Sequence, residues 1–201
     1  EAIRDELLRI VYGIWDHLKN HPNHREENKN LQLEWVGALP GKRESRRFLG
    51  DVVLTERDIL EQTDFPDAVA YGGWDIDRHP PRGFWAKDEY PSDRFQIPGL
   101  YNIPLRALYA KGFENLFLAG RDASFSHVAL CSTRVMVTCA QMGEAVGTAA
   151  AHCLREGITP RQAAESPHIE HIQRRLLLRD HYWWKAVHQD PADLALQAKV
   201  T

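Results

Sequence analysis

Apolar residues open the chain at Ile3, Leu7, Ile10, Val11, Ile14, Trp15 and Leu18, a helical spacing that predicts an amphipathic helix over residues 2–19. Asn20-His-Pro-Asn-His-Arg-Glu-Glu-Asn28 breaks that period and reads as a polar surface loop. Leu31, Leu33 and Trp35 then alternate with Gln32 and Glu34, which predicts a strand over about 31–37. A turn at Pro40-Gly41 precedes a charged, extended stretch from Arg43 to Phe48. Val52-Val-Leu54 reads as a short strand. Thr55-Glu-Arg-Asp58 is a capping box, with Asp in place of the usual Glu, and predicts a short helix to about Gln62. A strand is expected over Ala68 to Tyr71, closed by Gly72-Gly73, and residues 75–100, rich in Pro, Asp and Arg, predict loop with one edge strand.

The second half is patterned more strongly. Residues 103–109 lead into a short buried strand over Asn115–Ala119, then a polar loop containing Gly120, then a long helix over 133–155. That helix carries an apolar stripe at Val135, Cys139, Met142, Val146, Ala149 and Cys153, expected to pack on a sheet. Gly143, Gly147 and Ala151 recur every four residues, so a backbone or a ligand can approach closely; tight helix packing alone is the other reading. Thr159-Pro160 and Ser166-Pro167 each place a capping residue before a Pro at the first helical position, and Asp190-Pro191 repeats the device. The fold class is therefore α+β: a mixed or antiparallel sheet, one long helix and a helical C-terminal tail.

Composition narrows the classes. The 201 residues suffice for one large domain or two small ones. A hydrophobic share of 43% with 26% charged residues is ordinary for a globular chain, and a net charge of −3 gives no electrostatic case for nucleic acid or an anionic membrane. No apolar run approaches the roughly 20 residues that span a bilayer. Cys131, Cys139 and Cys153 are odd in number and lack a C-x-x-C pair, so they are expected to be small buried residues. The chain starts at Glu1 and its only methionines are Met136 and Met142, so it is expected to be processed or cut.

Four blocks, in order, carry a family resemblance. They are Gly41-Lys-Arg-Glu-Ser-Arg-Arg-Phe-Leu-Gly-Asp51 with Leu54-Thr55 and Asp58; Phe65-Pro-Asp-Ala-Val-Ala-Tyr-Gly-Gly-Trp74 with Asp77-Arg-His-Pro80; Ile103-Pro-Leu-Arg106; and Asn115–Ala151. Together they resemble the substrate-side and C-terminal portion of the FAD-dependent oxidoreductases over residues 40–155. The resemblance implies a partial FAD/NAD(P)-binding fold: a substrate-side region over 1–110, the C-terminal strand-loop-helix of the FAD-binding domain over 111–157, and a helical tail over 158–201. Relatives hold the ADP half of FAD on an N-terminal βαβ unit with G-x-G-x-x-G, which does not occur in these residues. The chain is thus expected to be part of a larger flavoprotein, partnered by a nucleotide-binding region of the same protein and by a small-molecule substrate, and not to retain FAD alone.

Under that resemblance, hydride passes from a substrate carbon to flavin N5, and a hydroxylated small molecule is a compatible substrate. Reduction leaves negative charge at the N1/C2 edge of the ring, which a helix N-terminus at Arg134, Val135 and Met136 stabilises by roughly 1 kcal/mol. Gly120 ends the strand where the backbone passes the cofactor. Arg121 is expected to pair with the pyrophosphate and Asp122 with a ribityl hydroxyl; a surface ion pair is the alternative for each. His127, in the loop facing the flavin, is a candidate general base or substrate hydrogen-bonder, with a merely structural loop residue as the other reading. Glu44, Arg46 and Arg47, with Arg43, either line the substrate pocket or form a salt-bridge network, and His79 is a further pocket candidate.

No metal site is expected. His17, His21 and His24 straddle a helix end and a Pro-Asn loop, while His168 and His171 lack a nearby Cys or an H-E-x-x-H pattern and read as a solvated face. Tyr182, Trp183 and Trp184 are expected to pack in a core or between domains. The competing class is a non-catalytic module that binds a protein or a sugar without cofactor.

Overall fold

A computed structural model describes residues 2–41, 43–44 and 46–188. The fold is α+β and forms two compact units, residues 1–43 and 44–201. In the first, α1 (Ala2–Asn20) and α2 (Arg25–Asn28) are joined by a tight turn. Pro22 has no N–H to continue the helical ladder, so the chain turns there. Lys19 fixes the turn by donating to the carbonyls of Asn28, Lys29 and Leu31 at 3.1, 2.9 and 2.9 Å. The alternating stretch at 31–37 is irregular rather than a strand, for no edge pairs with it among the described residues.

The second unit is organised around three irregular segments knitted by backbone bonds. The Arg106 carbonyl accepts from the amides of Asp51 and Val52 at 3.0 and 3.2 Å, and the Ser124 amide donates to the Ala107 carbonyl at 3.0 Å. Leu54 and Ser126 exchange with residues 124 and 54, and the Phe48 amide donates to the Asp122 carbonyl. Segment 48–54 is thus stitched to both 105–111 and 116–126. The expected strands at 52–54 and 115–119 shrink to single bridges, Leu54 with Phe125 and Tyr109 with Phe117. A Cβ on Gly50 would meet the Arg106 carbonyl oxygen at 2.5 Å, so the segments pass too closely there for any side chain.

On this hub sit two antiparallel ladders. β1 (Ala68–Gly72) pairs with β4 (Tyr101–Pro104) through a bulge near Ala68–Ala70. β2 (Ile76–Arg78) pairs with β3 (Asp93–Phe95), so residues 75–100 hold two short strands where one was expected. The capping box forms as read: Thr55 caps α3 (Glu56–Leu60), with Asp58 reciprocating. The core lies where the sheet meets the later helices, with Leu54, Ile59, Tyr101, Ile103, Leu108, Leu130, Met142, Ile172 and Leu176 fully buried. Asp67, also buried, accepts from the Arg106 amide at 2.9 Å and its guanidinium at 2.8 Å.

The long helix forms close to its expected bounds, and a further helix precedes it where loop was expected. Ser126 caps a first helix, α4 (His127–Thr133); the chain breaks at Arg134–Val135; and α5 (Met136–Glu156) follows, ending on left-handed Gly157. Val135 is extended, with ψ 147°, and the β-branched Thr133, Val135 and Val137 around it favour such a break. In the tail, α6 (Pro160–Ala163) has the expected Thr159 cap, reciprocated by Gln162. α7 (His168–Leu177) starts one residue late: the Ser166–Pro167 bond is cis and Pro167 occupies the cap position, so Ser166 does not cap. The helix expected after Asp190-Pro191 lies outside the described residues.

Gly50→Ala should destabilise the protein by roughly 3 kcal/mol, because the obstructing atom is backbone and cannot rotate away. Gly143→Ala, where a Cβ meets nothing within 4 Å, should be neutral or stabilise by up to about 1 kcal/mol. Urea midpoints of the two variants provide the comparison.

Candidate functional site

The α4–α5 junction gathers most of the candidate residues. Gly120 has φ +112°, a conformation that L side chains avoid, and a Cβ there would lie 3.7 Å from Cys139 Sγ in the first turn of α5. The strand end therefore abuts the helix start. α5 has no side-chain cap. The amides of Val135, Met136, Val137 and Thr138 have no acceptor among the described residues; the first amide of this turn that is bonded is that of Cys139, to the Val135 carbonyl at 3.0 Å. Arg121 is exposed and Asp122 half-buried beside this turn, neither in an ion pair among the described residues.

Arg134 differs from its expected part. Its amide closes α4 on the Leu130 carbonyl at 3.1 Å, so it offers no free N–H. Its side chain is buried and donates to the Asp77 carbonyl at 2.6 Å, which ties the helix junction to β2. Of the three expected amides, those of Val135 and Met136 are available, with Val137 and Thr138 added.

His127 is the first residue of α4, not a loop residue, because Ser126 caps the helix one position earlier. Its Nδ1 lies 2.8 Å from Glu44 Oε1, and Arg47 donates to the same carboxylate oxygen. Burial raises the Glu44 carboxyl, but the hydrogen bonds and charges of His127 and Arg47 outweigh it and hold the carboxyl below its ordinary value. Glu44 and Arg47, expected to line a pocket, are thus engaged with His127, whose imidazole is half exposed. Arg46 is exposed and takes no part in this network. Glu44 and His127 stand 83 positions apart, and no local pattern signals their pairing.

His79 sits at the end of β2, its Nδ1 2.8 Å from the Pro91 carbonyl and its Nε2 3.9 Å from Asp77. Asp77 is bonded by Ser92, which holds its carboxyl below the usual range against a smaller effect of burial, with His79, Arg134 and Arg94 assisting. Cys131, in the middle of α4, feels charges from both Glu44 and Asp77, so the two groups flank one helix. Its thiol is raised by burial, as are those of Cys139 and Cys153, which suits inert packing residues. Across α4, Ser132 donates to the Trp74 carbonyl and leaves Tyr101 to donate to Ser132 at 2.6 Å.

The remaining face of α5 is bare. Thr138, Met142, Ala145, Ala149 and Cys153 are buried, whereas Val135, Cys139 and Val146 of the expected stripe are only partly so. Gly143 and Gly147 meet nothing, and Met136, Ala140, Ala151 and Leu154 are exposed on the same side. His168 and His171 are not simply a solvated face. With His152, which is 5% exposed, they line a cavity of about 310 Å³ together with Arg155, Glu156 and Arg175. Trp183 joins the core, and Tyr182 meets Tyr71 edge-on.

A left-handed glycine at a segment end thus lies beside a helix N-terminus with no side-chain cap, an arrangement of the kind that accepts an anion. A model of the FAD dependent oxidoreductase family matches residues 1–176, and the chain belongs to that family. No solved structure matches the chain. Among the described residues, no helix is long and apolar enough to cross a membrane.

Because the folded Glu44 carboxyl lies below its ordinary value of 4.5, the carboxylate stabilises the fold above that pH and the contribution is lost as pH falls through the folded value. The wild type should lose more stability than Glu44→Gln between roughly pH 5 and 3, read as urea midpoints at each pH.

Proposed function

We propose that the chain supplies the isoalloxazine environment and the substrate wall of an FAD-dependent oxidoreductase. The carrying observation is the run of unfilled amides from Val135 to Thr138, packed against left-handed Gly120. These residues fit a flavin edge. The amides are free, no cap competes for them, and the buried hydroxyls of Ser124 and Thr133 lack partners among the described residues. Bound flavin would accept a hydride at N5 from the substrate.

The chain's own residues have distinct tasks in this reading. The α5 amides stabilise charge on the reduced ring by roughly 1 kcal/mol, more when water is excluded. Arg121 faces the pyrophosphate and Asp122 a ribityl hydroxyl. His127, oriented by Glu44, takes the substrate proton on Nε2. Arg46 and His79 face the substrate, for which a hydroxylated small molecule is the chemically compatible class. The division into a substrate-side region (1–110), the strand-loop-helix segment (111–157) and a helical tail (158–201) follows these tasks.

The bare face of α5 supports a further part of the reading: the nucleotide-binding region of a larger protein covers Gly143, Gly147 and Ala151. FAD is then held by both parts and not by this chain alone. The competing reading, a cofactor-free binding module, would leave these amides to solvent.

In the flavin-loaded enzyme, Gly120→Val and Gly143→Leu should each lower the flavin retained per chain, read from visible absorption, with far-ultraviolet circular dichroism unchanged. His127→Asn should keep its flavin yet slow flavin reduction by a panel of hydroxylated substrates about 10²- to 10⁴-fold. Full flavin content in both glycine variants would place the cofactor elsewhere.

A further inference from the structure

The turn after α1 draws together three imidazoles. His17 lies in the last turn of α1, His21 one helical turn on, and the bend at Pro22 brings His24 back beside both. Ring centroids are 4.4, 5.1 and 5.6 Å apart, and one donor nitrogen from each lies within 4.8 Å of the others. The loop that ought to scatter these residues instead folds them together.

The local chemistry suits a cation. The ammonium of Lys19, in the same turn, is committed to three backbone carbonyls. Those bonds fix the turn, as does the Asn28 amide on the His24 carbonyl at 2.8 Å. His21 Nδ1 accepts only the Asn23 amide at 3.3 Å, a long bond that a metal replaces readily. The other imidazole cluster is unlike it: His152 and His168 already bond each other at 3.1 Å, and Arg155 and Arg175 flank them.

We propose that His17, His21 and His24 form a site for one borderline divalent transition-metal ion, of which zinc is the reference. Imidazole nitrogens suit zinc, cobalt, nickel and copper(II). Bonds of about 2.0–2.1 Å require the nitrogens to close by on the order of 1 Å, within reach of side-chain rotation on partly exposed rings. The three nitrogens leave a fourth position open to solvent. The bound ion staples the end of α1 to the turn.

The test is zinc titration of the metal-stripped full chain against a chromophoric chelator, with cobalt(II) absorption as a second readout. One ion per chain is expected. His17→Ala, His21→Ala and His24→Ala should each bind more than about 100-fold more weakly, beyond the roughly 10- to 100-fold that loss of an outer partner costs. Lys19→Met, which keeps all three ligands but frees the turn, should weaken binding about tenfold. His171→Ala should bind as the wild type does, and helix content should be equal throughout. Binding only at millimolar zinc, binding that survives His21→Ala, or binding lost in His171→Ala would overturn the site.

Discussion

The close passage of Gly50 over the Arg106 carbonyl is the constraint on which the rest of the second unit depends. That single oxygen accepts the amides of Asp51 and Val52, and a Cβ on Gly50 would lie 2.5 Å from it. The crossing fixes segment 48–54 between 105–111 and 116–126. Because Arg106 bonds buried Asp67 through both its amide and its guanidinium, the same crossing is anchored to the entrance of β1. A buried acid so held is strongly destabilising to disconnect, since the remaining partner keeps its desolvation cost.

From this hub the two halves of the site follow. Phe48 bonded to Asp122 brings Glu44 and Arg47 to the start of α4, where His127 emerges. The break at Arg134–Val135 separates α4 from α5, so one helix carries the imidazole while the next presents free amides. A continuous helix would have spent those amides on its own carbonyls. The break therefore leaves the N-terminus of α5 open. Arg134 secures it by sending its side chain to β2 instead of into the opening.

Local signals in the sequence were read well where they are self-contained. The first helix and the Thr55 and Thr159 caps need only neighbouring residues to form, and all are present; β1 was also legible, and β4 supplies its pairing edge. Strands at 52–54 and 115–119 were half legible: their apolar content marks burial, but the tight crossing at Gly50 leaves single bridges in place of ladders. The long helix was legible, but α4 was read as loop, because seven residues are too few to show a sustained helical period. The family was legible through four ordered blocks. The Glu44–His127 pair was not, since contact across 83 residues leaves no local trace. Nor was the return of His24, which depends on where Pro22 bends the backbone.

The most direct measurement is a two-dimensional amide NMR titration of the labelled chain with flavin mononucleotide, which carries the ring without the adenosine half. If α5 opens onto the isoalloxazine, resonances of Gly120, Arg121, Asp122 and Val135 through Thr138 shift together at millimolar ligand while the tail stays still. If those amides do not move, or the shifts gather at the His152 cavity, the crevice at the α4–α5 junction is not where the flavin sits.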